Sequence, residues 1–282
     1  MKSHENPLFC DIALGERIER AETDFIAAGS EAALRRLGGD DGFVIRLAGG
    51  VACRTEAGSP LNKVAGLGFA GVPGADELDA VERRFADAGA PVQVELAHLA
   101  DPEVGAMLTA RGYRLVGFEN VLGRPLGGVP SEAVPSGIDV RHSDDTDFGQ
   151  WVDTVVGGFA RPDAQGLAPH EEVPRDVLER AVRDLTAAAG MRRYTASVDG
   201  AVAGGAGMRI TRGIAQLTGA ATLPAYRRRG VQSALLATRL AVAAEQGCDL
   251  AVVTTQPASQ SQQNAQRRGF SLLYTRAILV RP

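Results

Sequence analysis

The residues best placed to do chemistry lie in "LPAYRRRGVQSALL", Leu223 to Leu236. Arg227, Arg228 and Arg229 are followed by Gly230, and an apolar pattern with helical spacing opens near Gln232. A helix start exposes unpaired backbone amides and the positive end of the helix dipole. Three cations at that end oppose the dipole unless an anion joins them. Glycine lets an anion approach the backbone, and guanidinium forks match phosphate oxygens. The combination is a cradle for a pyrophosphate. It is not a P-loop, because the G-x-x-x-x-G-K-[ST] spacing is absent. The other glycine cluster, "GGAG" (204–207), runs into a strand and reads as a bulge or tight sheet packing.

Acid–base candidates are few. His170, Glu171 and Glu172 in "PHEE" form either a solvated charge cluster or a site for a cationic amine. Tyr274, on the last apolar run, is either a half-buried strand tyrosine or a proton donor. Asn264 either caps the short polar helix "SQSQQNAQRR" or reaches a ligand. Trp151 is expected in the core, Tyr226 behind the arginine loop, and His98 has no partner at metal spacing. Cys10, Cys53 and Cys248 are odd in number and show no C-x-x-C spacing. They read as buried thiols of a reducing compartment, with no disulfide and no metal site.

The elements that must hold these residues follow from periodicity. In the second half, strands are expected at 137–142, on both sides of Asp199-Gly200, after the turn 211–213, at 248–255 and from Gly269 to Val280. Helices are expected at 145–160, 174–190 (ending at Gly190), from about Gln232 to Gly247, and at 259–268. In the first half, 12–38 and 76–90 read as helices. Residues 42–54 read as a hairpin turning at Gly49-Gly50, and 62–72 and 91–97 as strands. Gly, Pro and Ser concentrate at 123–137, the mark of a linker. The division is therefore 1–126, a linker at 127–136, and 137–282.

The halves repeat. "RGYRLVGFENVLGRP" (111–125) aligns without gaps on "RGFSLLYTRAILVRP" (268–282), at a constant offset of 157 (282 − 125). The same shift sets Gly230 on Pro73, and Ser233 and Ala234 on Asp76 and Glu77. Proline has no amide to donate, and acids at a helix start satisfy the dipole themselves. The first half therefore reads as a copy without the phosphate site.

The chain has 282 residues, 45% hydrophobic and 23% charged, with net charge −4. The length fits two domains and the composition a globular protein. The acidic balance argues against nucleic acid as a partner. No apolar leader segment and no run of about 18 apolar residues appear, so a cytoplasmic protein without a membrane partner is expected.

With these residues in place, the loop resembles the coenzyme A pyrophosphate loop of the GNAT superfamily of N-acetyltransferases, Q/R-x-x-G-x-G/A. Arg227 and Gly230 match, and Gln232 stands where a small residue is usual. "RRGF" (267–270) is similar to the family's last-helix signature. The resemblance implies an α/β fold of two tandem GNAT-like domains, each a mixed sheet flanked by helices. It implies acyl transfer from acetyl-CoA, or another acyl-CoA, to an amine on a small molecule or a protein. No metal is implied, and a homodimer is compatible with it. It places the pyrophosphate on the backbone of Arg228, Arg229, Gly230, Val231, Gln232 and Ser233, the pantetheine arm along Ala221, Thr222 and Leu223, and Asn264 near the coenzyme. The family's usual acidic tyrosine falls on Ala265, which leaves Tyr274 as its substitute. The usual strand carboxylate is missing from "AQLTGA" (215–220), which leaves Glu172 as the candidate base. The rival class is a protein that binds or senses acyl-CoA without turnover. An RNA contact by the arginines is disfavoured by the lack of surrounding basic and aromatic residues.

Overall fold

A helix begins where Asp11 accepts the Leu14 amide at 2.8 Å, a side-chain cap for one otherwise unpaired donor. This helix, α1 (Ile12–Leu37), ends at Gly38 in the left-handed conformation. The computed structural model describes residues 8–39, 41–127, 135–161, 165–167, 172–188 and 190–282. After α1 come β1 (Phe43–Leu47), β2 (Gly50–Arg54), β3 (Lys63–Ala65), α2 (Ala75–Asp87), β4 (Val92–Ala97), α3 (Pro102–Ala110) and β5 (Arg114–Pro125). The hairpin turns at Ala48 and Gly49, both at positive φ, one residue before the turn expected. Gly50 instead belongs to β2, where a Cβ would stand 2.3 Å from the Ala65 carbonyl. The strand expected at 62–72 shrinks to three residues, because Gly66, Gly68 and Gly71 take left-handed φ and end the extended backbone. Helix α3 adds an element that periodicity did not reveal. Its signals are Asp101, which accepts the Glu103 amide at 2.9 Å, and Pro102 in the first turn.

The second half contains β6 (Ile138–Ser143), α4 (Phe148–Phe159), α5 (Arg175–Ala188), β7 (Arg192–Val198), β8 (Ala201–Thr211), β9 (Ile214–Thr222), α6 (Val231–Glu245), β10 (Leu250–Thr255), α7 (Gln260–Arg267) and β11 (Ser271–Arg281). Each lies close to the span its pattern predicts. Two-residue turns with positive φ at both positions, Asp199-Gly200 and Arg212-Gly213, join β7–β8 and β8–β9. The "GGAG" glycines lie inside β8, and a Cβ at Gly204 would meet Val231 at 2.7 Å, which bears out tight packing. The expected linker falls largely on residues 128–134, outside the described residues.

The eleven strands of the described residues form one sheet, ordered β1-β2-β3-β4-β11-β5-β10-β9-β8-β7-β6. The last strands of the halves are exchanged. β11 pairs antiparallel with β4, and β5 pairs antiparallel with β10. The two also pair with each other, from Ser271↔Gly123 to Val280↔Arg114. Neither half closes its own sheet, so the second half's geometry depends on the first.

Side chains alternate across the sheet. Ala215, Leu217 and Ala251 pack into the core with Val231, Leu235 and Leu240 of α6. Their neighbours Ile214, Leu250 and Val252 pack with Ile18 and Ala21 of α1. Thus α6 covers one face, while α1 lies on the other, beside α5. No helix among the described residues is long and apolar enough to cross a membrane.

Candidate active site

The loop before α6 departs from ordinary helix entry. A 3-10 turn (Pro224–Tyr226) leads to Arg228 at φ 61 and to Gly230 at φ 89, the residue that caps α6 without a side chain. The first amide with an intrahelical acceptor is that of Ala234, bonded to the Gly230 carbonyl at 2.9 Å. The amides of residues 228–233 have no acceptor among the described residues. Arg227 donates to the Arg161 carbonyl at the end of α4, tying the loop down. Arg229 pairs with Asp199 at 2.9 Å and lies 5.7 Å from the Tyr226 ring centroid, which gives Tyr226 its buttressing place. Arg228 is exposed and makes no bond to the described residues. The φ of Gly230 demands glycine here, and a Cβ would also crowd the Ile138 side chain at 3.3 Å.

The corresponding helix of the first half, α2, starts at Ala75 and α6 at Val231, an offset of 156 (231 − 75). The constant offset of 157 is therefore corrected at this loop. Helix α6 is two residues longer than α2, and the stretch from helix end to last strand is one residue shorter in the second half, which together move the register by one. Gly74, not Pro73, matches Gly230, and Glu77 matches Ser233. The Glu77 carboxylate accepts the Gly74 amide at 2.9 Å, the glutamate half of a capping box, and closes the site from within.

Beside the loop the sheet splits. β9 and β10 run parallel only at Leu250↔Ile214, Ala251↔Ala215 and Val252↔Gln216, then diverge. A cleft of about 210 Å³ fills the gap. Gln216 to Ala220 of β9 and Val252 to Thr254 of β10 line it; α6 adds Gln232, Leu236 and Arg239, and α7 adds Ser261 and Ala265. Phe159 of α4 and Glu22 and Phe25 of α1 line it too. It thus reaches from the α6 face through the sheet to the α1 face. β9 bulges here: Gly205↔Ala221 and Gly207↔Thr218 leave Gly219 and Ala220 opposite Ala206 alone, which takes backbone groups out of the ladder.

Two charged groups in the cleft escaped the sequence reading. Arg239 is 2% exposed and donates to the carbonyls of Leu235 and Gly207 at 3.1 and 2.9 Å. Burial without a carboxylate lowers its pKa to about 10. Glu22 accepts from the Gln216 amide at 3.1 Å, and burial raises its carboxyl above the usual range. Its helix is far away in sequence, and only the exchanged topology brings it here.

The sequence-derived candidates are spread more widely. Tyr274 is 1% exposed, and its hydroxyl donates to Glu19 at 2.6 Å. Arg276 also donates to Glu19, at 2.8 Å. These belong to a buried polar layer between α1 and the sheet, with the Lys63–Glu95 pair and Glu119. Glu172 is exposed ahead of α5, while His170 and Glu171 lie outside the described residues. Ala221 is buried and paired with β8, and the Leu223 amide donates to Ala203 at 2.9 Å. The cleft opens one step earlier on β9 than Ala221–Leu223. The Thr222 hydroxyl is buried with no partner among the described residues. Ser259 caps α7, and the Asn264 side-chain oxygen accepts from Gln260 at 2.9 Å, so Asn264 is not the cap. Trp151 is a core residue, donating to the Tyr194 carbonyl.

Residues 160–270 match the model of the acetyltransferase (GNAT) family. Solved structures share the fold over nearly the whole length. A GCN5-related N-acetyltransferase from Kribbella flavida is 19% identical with a TM-score of 0.61, covering 90% of this chain and 95% of that one. A second, from Sphaerobacter thermophilus, is 16% identical at 0.59, covering 94% and 93%. A tandem GNAT protein from the clavulanic acid biosynthesis pathway is 14% identical at 0.60, covering 98% and 97%. No curated protein matches the sequence. The fold is that of tandem GNAT proteins, and within it residues 160–270 are similar to the acetyltransferase (GNAT) family.

Proposed function

We propose that this N-acetyltransferase fold moves an acetyl group from acetyl-CoA to the amine of an acceptor, and that residues 137–282 hold the coenzyme while residues 1–126 hold none. The carrying observation is the run of unpaired amides, 228–233, at a helix start kinked by Gly230 and set beside a split in the sheet. Those amides take the pyrophosphate, and the unpaired Arg228 adds charge. The pantetheine arm passes Gln232 and Leu236 into the cleft. The bulge at Gly219 and Ala220 offers a backbone amide to the thioester carbonyl, where negative charge develops in the transition state. Asn264 keeps its amide donors for the coenzyme. No phenol lines the α7 wall at Ala265, and the buried Arg239 cation supplies the positive field for a leaving thiolate.

The test is calorimetric titration with acetyl-CoA, followed by acetyl transfer to hydroxylamine, a small amine that is unprotonated at neutral pH. One acetyl-CoA per chain and formation of acetohydroxamate are expected. No binding sinks the reading; binding without transfer makes the protein an acyl-CoA sensor.

A further inference from the structure

The strand that flanks the cleft carries Gln216 where a carboxylate would be useful, and the carboxylate comes from elsewhere. Helix α1 belongs to the first half in sequence, yet it crosses the middle of the shared sheet. Its Glu22 and Phe25 form a wall of the second half's cleft. Gln216 donates to Glu22 at 3.1 Å and so fixes the carboxylate at the cleft's α1 end. The coenzyme cradle lies at the start of α6, on the opposite face. A thioester threaded from the cradle through the split therefore meets Glu22 on the far side, where an acceptor must arrive.

We infer that Glu22 is the proton acceptor for the acceptor amine, so that the first half completes the active site and the acceptor is a cationic primary amine. This rests on the acetyl-transfer reading above. Glu22 takes one proton from the ammonium, which frees the nitrogen lone pair. The lone pair attacks the thioester carbonyl carbon; a C–N bond forms and the C–S bond breaks. The excess proton on nitrogen passes to the departing thiolate, and Glu22 returns its own proton to water. Charge suits the task. Around Glu22 stand the cations Arg276 of β11, Lys63 of β3 and Arg209 of β8. The acids are Glu19 on the same helix, Glu95 of β4 and Glu119 of β5, with Tyr274 of β11. Burial raises the Glu22 carboxyl above its ordinary value, which makes it a stronger base than an exposed glutamate. Burial and Glu95 raise Glu119 to about 7.

The test uses the full-length protein, acetyl-CoA and two probe amines: n-propylamine, an ammonium at neutral pH, and hydroxylamine. Glu22→Gln keeps an oxygen for Gln216 and is expected to bind acetyl-CoA as wild type does by calorimetry. Its transfer to n-propylamine should fall roughly a hundredfold, with a much smaller loss toward hydroxylamine. In wild type the n-propylamine rate should rise with pH through the raised Glu22 pKa, and this limb should vanish in the variant. Gln216→Ala should keep the limb, since it removes only the anchor. Glu119→Gln should move it to lower pH, since one negative neighbour is gone. A ¹³C-carboxyl titration of the free protein should show a signal, absent from Glu22→Gln, that titrates above the ordinary glutamate range. The inference fails if Glu22→Gln slows both amines equally or neither, or if wild type acetylates hydroxylamine but not n-propylamine. Failure of wild type to bind acetyl-CoA removes the acetyl-transfer reading and this inference with it.

Discussion

Helices α2 and α6 both start at a glycine, and they treat their open amides in opposite ways. At α2 the chain turns inward: Glu77, three residues on from Gly74, folds back onto the Gly74 amide. At α6 the matching residue is Ser233, no side chain caps the start, and Arg227 and Arg229 are tied to Arg161 and Asp199. The strand gaps differ in the same sense. β3 and β4 pair at only two positions, a parallel contact one position shorter than that of β9 and β10. Yet the first gap is sealed. The Asp101 amide donates to the Gly68 carbonyl at 2.9 Å, Leu67 is wholly buried, and a Cβ at Gly15 of α1 would stand 2.9 Å from Leu99. One half spent its copy of the site on stability, and the other left it open. A helix start binds an outside anion only when the chain withholds its own carboxylate.

The sharpest way to break this contrast is to write the first half's cap into the second. Ser233→Glu places a carboxylate at the third helical position of α6, where Glu77 stands in α2. It should fold back on the Gly230 amide, occupy part of the cradle and repel a pyrophosphate. Acetyl-CoA affinity is expected to fall roughly a hundredfold, while the melting temperature holds or rises. Calorimetry and a thermal melt on the same sample check both. A variant that keeps its affinity would show that the pyrophosphate does not use the amides of α6.

How much of this was readable in advance depends on how local each signal is. The arginine-glycine loop, the Asp199-Gly200 turn and the spans of α1, α4 and α6 follow from residues within a few positions, and their structure matches their patterns. The strand at 62–72 failed because Gly66, Gly68 and Gly71 mark bends that alternation alone cannot weigh. The one-residue slip at Gly230 arose because an ungapped repeat in the last strands says nothing of helix length upstream. Glu22 was out of reach for a stronger reason. It enters the cleft through the exchange of β5 and β11, a long-range pairing that no local pattern carries. Tyr274 looked available because a strand tyrosine reads the same whether it faces solvent or a buried carboxylate such as Glu19.

The reverse change sharpens the comparison from the other side. Glu77→Ala removes the carboxylate that caps α2 and frees the Gly74 amide. The expected cost is about 0.5–1 kcal/mol, the usual worth of an acid at a helix start, or roughly 1–3 °C in melting temperature. The first half should still bind no coenzyme, because its strand gap stays closed by Leu67 and the Asp101–Gly68 bond. A second acetyl-CoA site appearing in calorimetry would mean that the cap alone had silenced it.

The smallest effect belongs to Arg228. It is exposed and makes no bond to the described residues, so nothing in the fold depends on its charge, and Arg228→Ala should leave the melting temperature unchanged. Its neighbours Arg227 and Arg229 are held by Arg161 and Asp199, so replacing either would mix loss of the loop with loss of charge. If the backbone amides carry most of the pyrophosphate, as proposed, an exposed cation adds about 0.2–1 kcal/mol. The affinity for acetyl-CoA should therefore fall only about 1.4- to fivefold, the same energy expressed as a ratio. That loss should shrink as salt is raised, because screening removes an exposed charge pair first. A salt-independent loss of a hundredfold would instead assign the pyrophosphate to the guanidinium, and the open amides of α6 would no longer explain why the two halves differ.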